Sequence, residues 1–108
     1  MQITVEQAMN IYPLSEGNIV AGASGIQRMI KAVNIIDAPD IADWIKEGEM
    51  LFTTAFLIKD DLDEAVTLIK KLNARGLAAL GFKLGRFWQA IPQRLIEVAN
   101  ELGLPLIE

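Results

Sequence analysis

The residues that stand close enough in sequence to do chemistry together are acids: Asp60 beside Asp61, and Asp40 three positions before Asp43. Paired carboxylates can share a proton in acid-base catalysis or hold a hard metal ion. Both pairs fall where a helix start favours negative charge, and no nucleophile or electrophilic partner stands near them. The chain has no cysteine and no histidine. Thiol nucleophiles, thiolate metal ligands, disulfides and the commonest general base are therefore absent, and most familiar hydrolase chemistry goes with them. The residues point to a non-enzyme with no catalytic residue, no metal ligand and no cofactor.

Two other groupings could bind and not transform. Gly22-Ala23-Ser24-Gly25 could hold an anion on its backbone amides, with Arg28 adding charge. The Gly-Lys-Ser/Thr ending of a phosphate loop is missing, and a tight turn with Arg28 in a salt bridge or on carbonyls explains the same residues. The second grouping is Asp37, Thr53, Thr54, Lys83 and Arg86, which fall just past the ends of expected strands. Open α/β sheets hold ligands beyond the carboxyl ends of their strands, and this mixture could hydrogen-bond a small polar metabolite. The structural alternative has Asp37 accepting amides before Pro39, the hydroxyls satisfying a strand's exit, and the basic pair solvated. Phe87 and Trp88, in a glycine-flanked loop beside Arg86, would form an exposed apolar patch for a neighbouring domain or a second copy.

The element that must position these groups is Gly48-Glu49-Met50-Leu51-Phe52-Thr53-Thr54, entered through a glycine and left through two hydroxyls. Its apolar centre lacks polar alternation, which predicts a strand buried on both faces between helices. Upstream, Thr4 and Gln7 have capping-box spacing and start a helix over about residues 5–11, with Val5, Ala8, Met9 and Tyr12 on its buried side. Pro13 ends it. Residues 18–22 read as a strand, and residues 32–37, β-branched and nearly continuous, as a second and interior one. Pro39 and Asp40 open a short helix whose inner stripe is Ile41, Trp44 and Ile45; a buried Trp44 replaced by alanine would cost roughly 3–5 kcal/mol.

Asp61 caps the longest helix, about residues 61–75, on which Leu62, Ala65, Val66, Ile69 and Leu72 recur at helical spacing before Gly76 ends it. Residues 77–82 form a strand, and Pro92 opens a helix over about 92–102 that Gly103 closes. Residues 104–108 begin one more strand, so the chain reads as a fragment of something longer. The order α, β, β, α, β, α, β, α, β predicts a layered α/β/α domain with a mostly parallel sheet of about five strands.

The 108 residues suit one domain. A hydrophobic fraction of 52% and a mean hydropathy of +0.31 are high, yet no apolar stretch approaches the roughly 20 residues that cross a bilayer. A net charge of −4 repels phosphate polymers, which argues against direct nucleic-acid binding by this segment. The first residues lack the pattern of a signal peptide, so the expected location is cytoplasmic.

Several runs follow in order: Ala21-Gly22-Ala23-Ser24-Gly25-Ile26 with Arg28, Ile35-Ile36-Asp37-Ala38-Pro39-Asp40, Trp44-Ile45 leading into Gly48-Glu49-Met50-Leu51-Phe52-Thr53-Thr54, Gly76-Leu77-Ala78-Ala79-Leu80-Gly81, Ile91-Pro92, and Ala99-Asn100-Glu101-Leu102-Gly103-Leu104-Pro105-Leu106. Together they resemble the N-terminal domain of the purine catabolism regulator (PucR-like) family of bacterial transcription factors. The chain departs from the family at Met29, where a proline commonly follows the arginine. The resemblance implies a regulatory module joined, in a complete protein, to a middle domain and a DNA-binding helix-turn-helix. It implies a purine-related small-molecule effector, self-association or contact with downstream domains, and no membrane partner. A dimerisation module without a ligand is the alternative.

Overall fold

Met50 and Leu51 lie on opposite faces of β5 (Glu49–Thr53), and both are sealed from solvent. Leu51 joins one apolar cluster and Met50 another, so the strand is covered on its two sides as its unbroken apolar run predicts. The computed structural model describes residues 2–12, 14–35, 40–54, 58, 60–85 and 88–108.

β5 is an inner strand of a five-stranded sheet. Its companions are β2 (Ile19–Ala21), β4 (Ala32–Ile35), β6 (Ala79–Phe82) and β7 (Leu106–Ile107), in the order β2-β7-β6-β5-β4. β4 to β7 run parallel and β2 pairs antiparallel with β7. The helices α2 (Ile41–Trp44), α3 (Leu62–Ala74) and α4 (Gln93–Leu102) connect the successive parallel strands. Adding each strand on the same side of the last, with one handedness of crossover, puts all three connections over one face. Ile41, Ile45, Ala65, Val66, Ile69, Leu72, Leu95 and Ala99 accordingly pack with Leu51 and Leu80 in the larger cluster.

Among the described residues, the opposite face receives the beginning of the chain. The short helix α1 (Val5–Ala8) brings Val5 and Ala8 onto Met50, Ala79 and Ile107. A separate antiparallel pair, β1 (Ile3–Thr4) with β3 (Met29–Ile30), adds Ile30. This pair is absent from the sequence reading because two-residue strands have no period to detect. The departure at Met29 falls within it, opposite Thr4. Where the N-terminal cover stops, Leu14, Val33, Phe52 and Ile107 line an apolar groove of about 430 Å³.

Four expectations require correction. β4 is an edge strand, with Val33 56% and Ile35 80% exposed; it opens a series of strands laid down in one direction, so only β5 pairs with it, whatever its residues. Trp44 is 67% exposed, because α2 is a single turn that ends at this residue, and its indole N–H donates to the Asp40 carboxylate at 2.6 Å. Tyr12 is 76% exposed, since α1 stops at Ala8 and residue 12 no longer keeps the helical period. Leu62, at the first position of α3, is also exposed.

The starts of α1 and α3 and both limits of α4 match their sequence signals, whereas α1 ends well before Pro13. Thr4 and Gln7 form the reciprocal capping box, and Asp61 accepts the Glu64 amide at 3.1 Å at the start of α3. α4 follows Pro92 and ends on Gly103, whose left-handed φ of 66° suits glycine.

Candidate functional site

The strand-end residues come together as far as they are described. Thr53 is the last residue of β5, Lys83 follows β6, and the Lys83 amide donates to the Thr53 carbonyl at 3.0 Å. Thr54 adjoins them in sequence, so two hydroxyls and one exposed ammonium share the carboxyl edge of the parallel strands. Asp37 and Arg86 lie outside the described residues, as does Phe87. Trp88 does not form an exposed patch. It is half-buried against the larger cluster, its ring 5.6 Å from that of Phe82 and tilted by 44°.

Arg28 belongs to the other end of the sheet. Its Nη1 donates to the Leu77 carbonyl at 2.7 Å, and its Nη2 donates to Asn73 Oδ1 at 2.8 Å and to the Leu102 carbonyl at 3.2 Å. Asn73 lies in the last turn of α3, Leu77 just beyond it, and Leu102 closes α4. The last carbonyls of a helix lack partners within it and carry the negative end of its dipole, so the guanidinium satisfies the end of α4 through Leu102 while tying it to Asn73 and to the chain just past α3. Burial lowers the pKa of Arg28 from its ordinary value by desolvation, yet the group stays charged at any working pH. Arg28 therefore bonds carbonyls, one of the two roles its sequence position allowed.

In the glycine-rich turn the Gly25 amide donates to the Gly22 carbonyl at 2.9 Å. A Cβ on Gly22 or Gly25 would run into the backbone carbonyls of Leu104 and Gly103, so both glycines serve close chain approach. The Gly22 amide, moreover, already donates to Asn100 Oδ1 at 2.7 Å. One acid of each pair has a structural role: Asp61 caps α3 and Asp40 accepts the Trp44 indole. Among the described residues no three acids gather as a metal site would need.

Sequence reasoning overlooked Asn73 and Asn100, which receive Arg28 and Gly22 across 45 and 78 positions. A polar residue near a helix end is their only local signal, and it does not reveal the partner. Lys31 and Glu47 were overlooked too; they pair at 3.2 Å beside the turn into β5.

The architecture is thus that of an α/β domain whose polar residues gather at the two ends of a parallel sheet. The family profile described as "Purine catabolism regulatory protein-like family" matches residues 7–108, and the chain belongs to that family. It is 37% identical over 106 residues to the "Purine catabolism regulatory protein" of Bacillus subtilis (strain 168), an alignment covering 98% of this chain and 20% of the relative. The chain therefore spans about a fifth of the length of that curated relative. No solved structure matches it. No helix among the described residues is long and apolar enough to cross a membrane.

Proposed function

We propose that this domain is the regulatory part of a larger cytoplasmic bacterial transcription regulator of purine or related nitrogen-compound catabolism, acting by signal sensing, self-association or both. One observation carries the reading: nearly the whole chain aligns with one fifth of a protein named for the regulation of purine catabolism. DNA contact is assigned to a helix-turn-helix elsewhere in the full-length protein, in keeping with the net charge of −4 here. The domain transforms no substrate and needs no cofactor. Its effector would be a small polar, purine-related metabolite, for which Thr53, Thr54 and Lys83, with Asp37 and Arg86, are the candidate contacts at the carboxyl edge. The mechanism is a difference in effector affinity between two arrangements of the full protein.

A panel of purines and their breakdown products should include one that raises the melting temperature of the 108-residue chain saturably, while operator DNA shifts the full-length regulator and not this chain. Tight, salt-sensitive DNA binding by the isolated chain would overturn the assignment. The exposed β4 edge, with Val33 and Ile35 on one face, favours a second reading, a dimerisation module without a ligand. Sedimentation at several concentrations separates the two: a concentration-dependent dimer with no ligand-induced shift supports the second.

A further inference from the structure

The amino ends of β5 and β6 open onto a cleft of about 640 Å³ lined by Gln2, Arg28, Lys31, Glu47 and the glycines 48 and 76, among others. We propose that this cleft binds a small organic carboxylate between the guanidinium of Arg28 and the ammonium of Lys31. Three oxygens without a formal charge hold the guanidinium in place, one of them bringing the partial negative charge of the α4 end. No carboxylate lies within ion-pair distance of it among the described residues. Both hydrogens of its Nη2 are engaged, whereas the Nε hydrogen and one on Nη1 meet no protein acceptor there.

Across the cleft Lys31 pairs with Glu47, their side chains 46% and 77% exposed, so water screens the pair and an incoming carboxylate can exchange for Glu47. The charged side chains lining the cleft are two cations and one acid, on a chain whose net charge is −4. Its volume lies within the range of small-molecule sites. The apolar side chains of Met29 and Ala78 on its wall suit a ligand with a carbon body better than a bare inorganic anion. The ligand would join Arg28, fixed to the ends of α3 and α4, to Lys31, whose amide bonds Gly48 and which leads into β4. Occupancy would thereby couple the helical layer to the exposed edge of the sheet. The role given to this site rests on the sensing reading; its existence does not.

Malonate titrated into the isotopically labelled chain should move the amide resonances of Gly48 and Gly76 saturably, with a midpoint of about 1–10 mM. Sodium chloride at matched ionic strength, and neutral acetamide, should not reproduce the effect. Lys31→Gln, which leaves the Arg28 contacts untouched, should raise the midpoint about three- to tenfold. Arg28→Gln should abolish saturation if the variant folds; if it does not fold, Lys31→Gln decides. Shifts that follow ionic strength alone, or an unchanged midpoint in Lys31→Gln, overturn the proposal. Saturable malonate binding that leaves DNA binding by the full-length regulator unaltered under every small acid tried would sink the sensing role and leave the site standing.

Discussion

Arg28 concentrates more long-range bonding in one side chain than any other described residue, since it fastens the ends of both long helices to the segment before β3. Arg28→Gln leaves the Leu77 and Leu102 carbonyls and the Asn73 amide oxygen without their charged donor, and should cost about 2–4 kcal/mol in denaturant unfolding. Desolvation lowers its pKa, so the charged form is the one that folding disfavours, and that cost would be relieved only as pH rises toward the lowered value. Because arginine stays protonated far above neutrality, the Arg28 contacts should show no titration between about pH 5 and 9. A dependence in that window that vanishes in Arg28→Gln would contradict this. Trp44 is the opposite case: Trp44→Ala should change stability by no more than about 1 kcal/mol, and the lost fluorescence should be the red, water-exposed component, leaving the emission of half-buried Trp88.

Among the elements, the turn between β2 and β3 is the least tolerant of change. Gly22 has a φ of 69°, and an added Cβ would meet the Leu104 carbonyl, which backbone adjustment alone could relieve. Gly22→Ala should therefore destabilise by about 3 kcal/mol or more, lowering the thermal midpoint by roughly 12 °C or more. The sequence marked this turn and its glycines but not what they touch, because Leu104 lies more than eighty positions away. The same limit explains the rest. β5, α3 and α4 were legible because their burial follows from a local apolar pattern and their caps from adjacent residues. β4 has an equally apolar pattern, yet its edge position follows from the order in which strands are added, a property no window of residues contains. At the candidate site the position of Thr53, Thr54 and Lys83 could be read from strand ends, whereas the distant partners of Arg28 could not. Phe52 shows how far local pattern goes: its place in β5 was predictable, its ring lying over Gly81 of the neighbouring strand was not.

At the scale of the molecule the cover is lopsided, with three helices over one face of the sheet and one helical turn with a small strand pair over the other. The thinner side, with its groove along Val33 and Phe52, is where association should be felt. If copies associate through it, the double variant Val33→Thr, Ile35→Thr should shift the sedimentation profile toward monomer with little change in melting temperature. Unchanged sedimentation of a protein that does dimerise would place the contact elsewhere. Neither substitution opens a cavity, since both side chains already meet water.

β7 lies between β2 and β6, and Asn18 and Glu108 exchange two backbone hydrogen bonds of 3.0 Å. A strand completed within the first 21 residues thus waits for a partner made at positions 106 and 107. On the ribosome the sheet cannot close as it emerges: the early half must stay open until almost the last of these residues is released, and loop closure over so long a span makes the final docking slow. Removing residues 104–108 should consequently abolish the cooperative melt seen by circular dichroism and not merely fray one end.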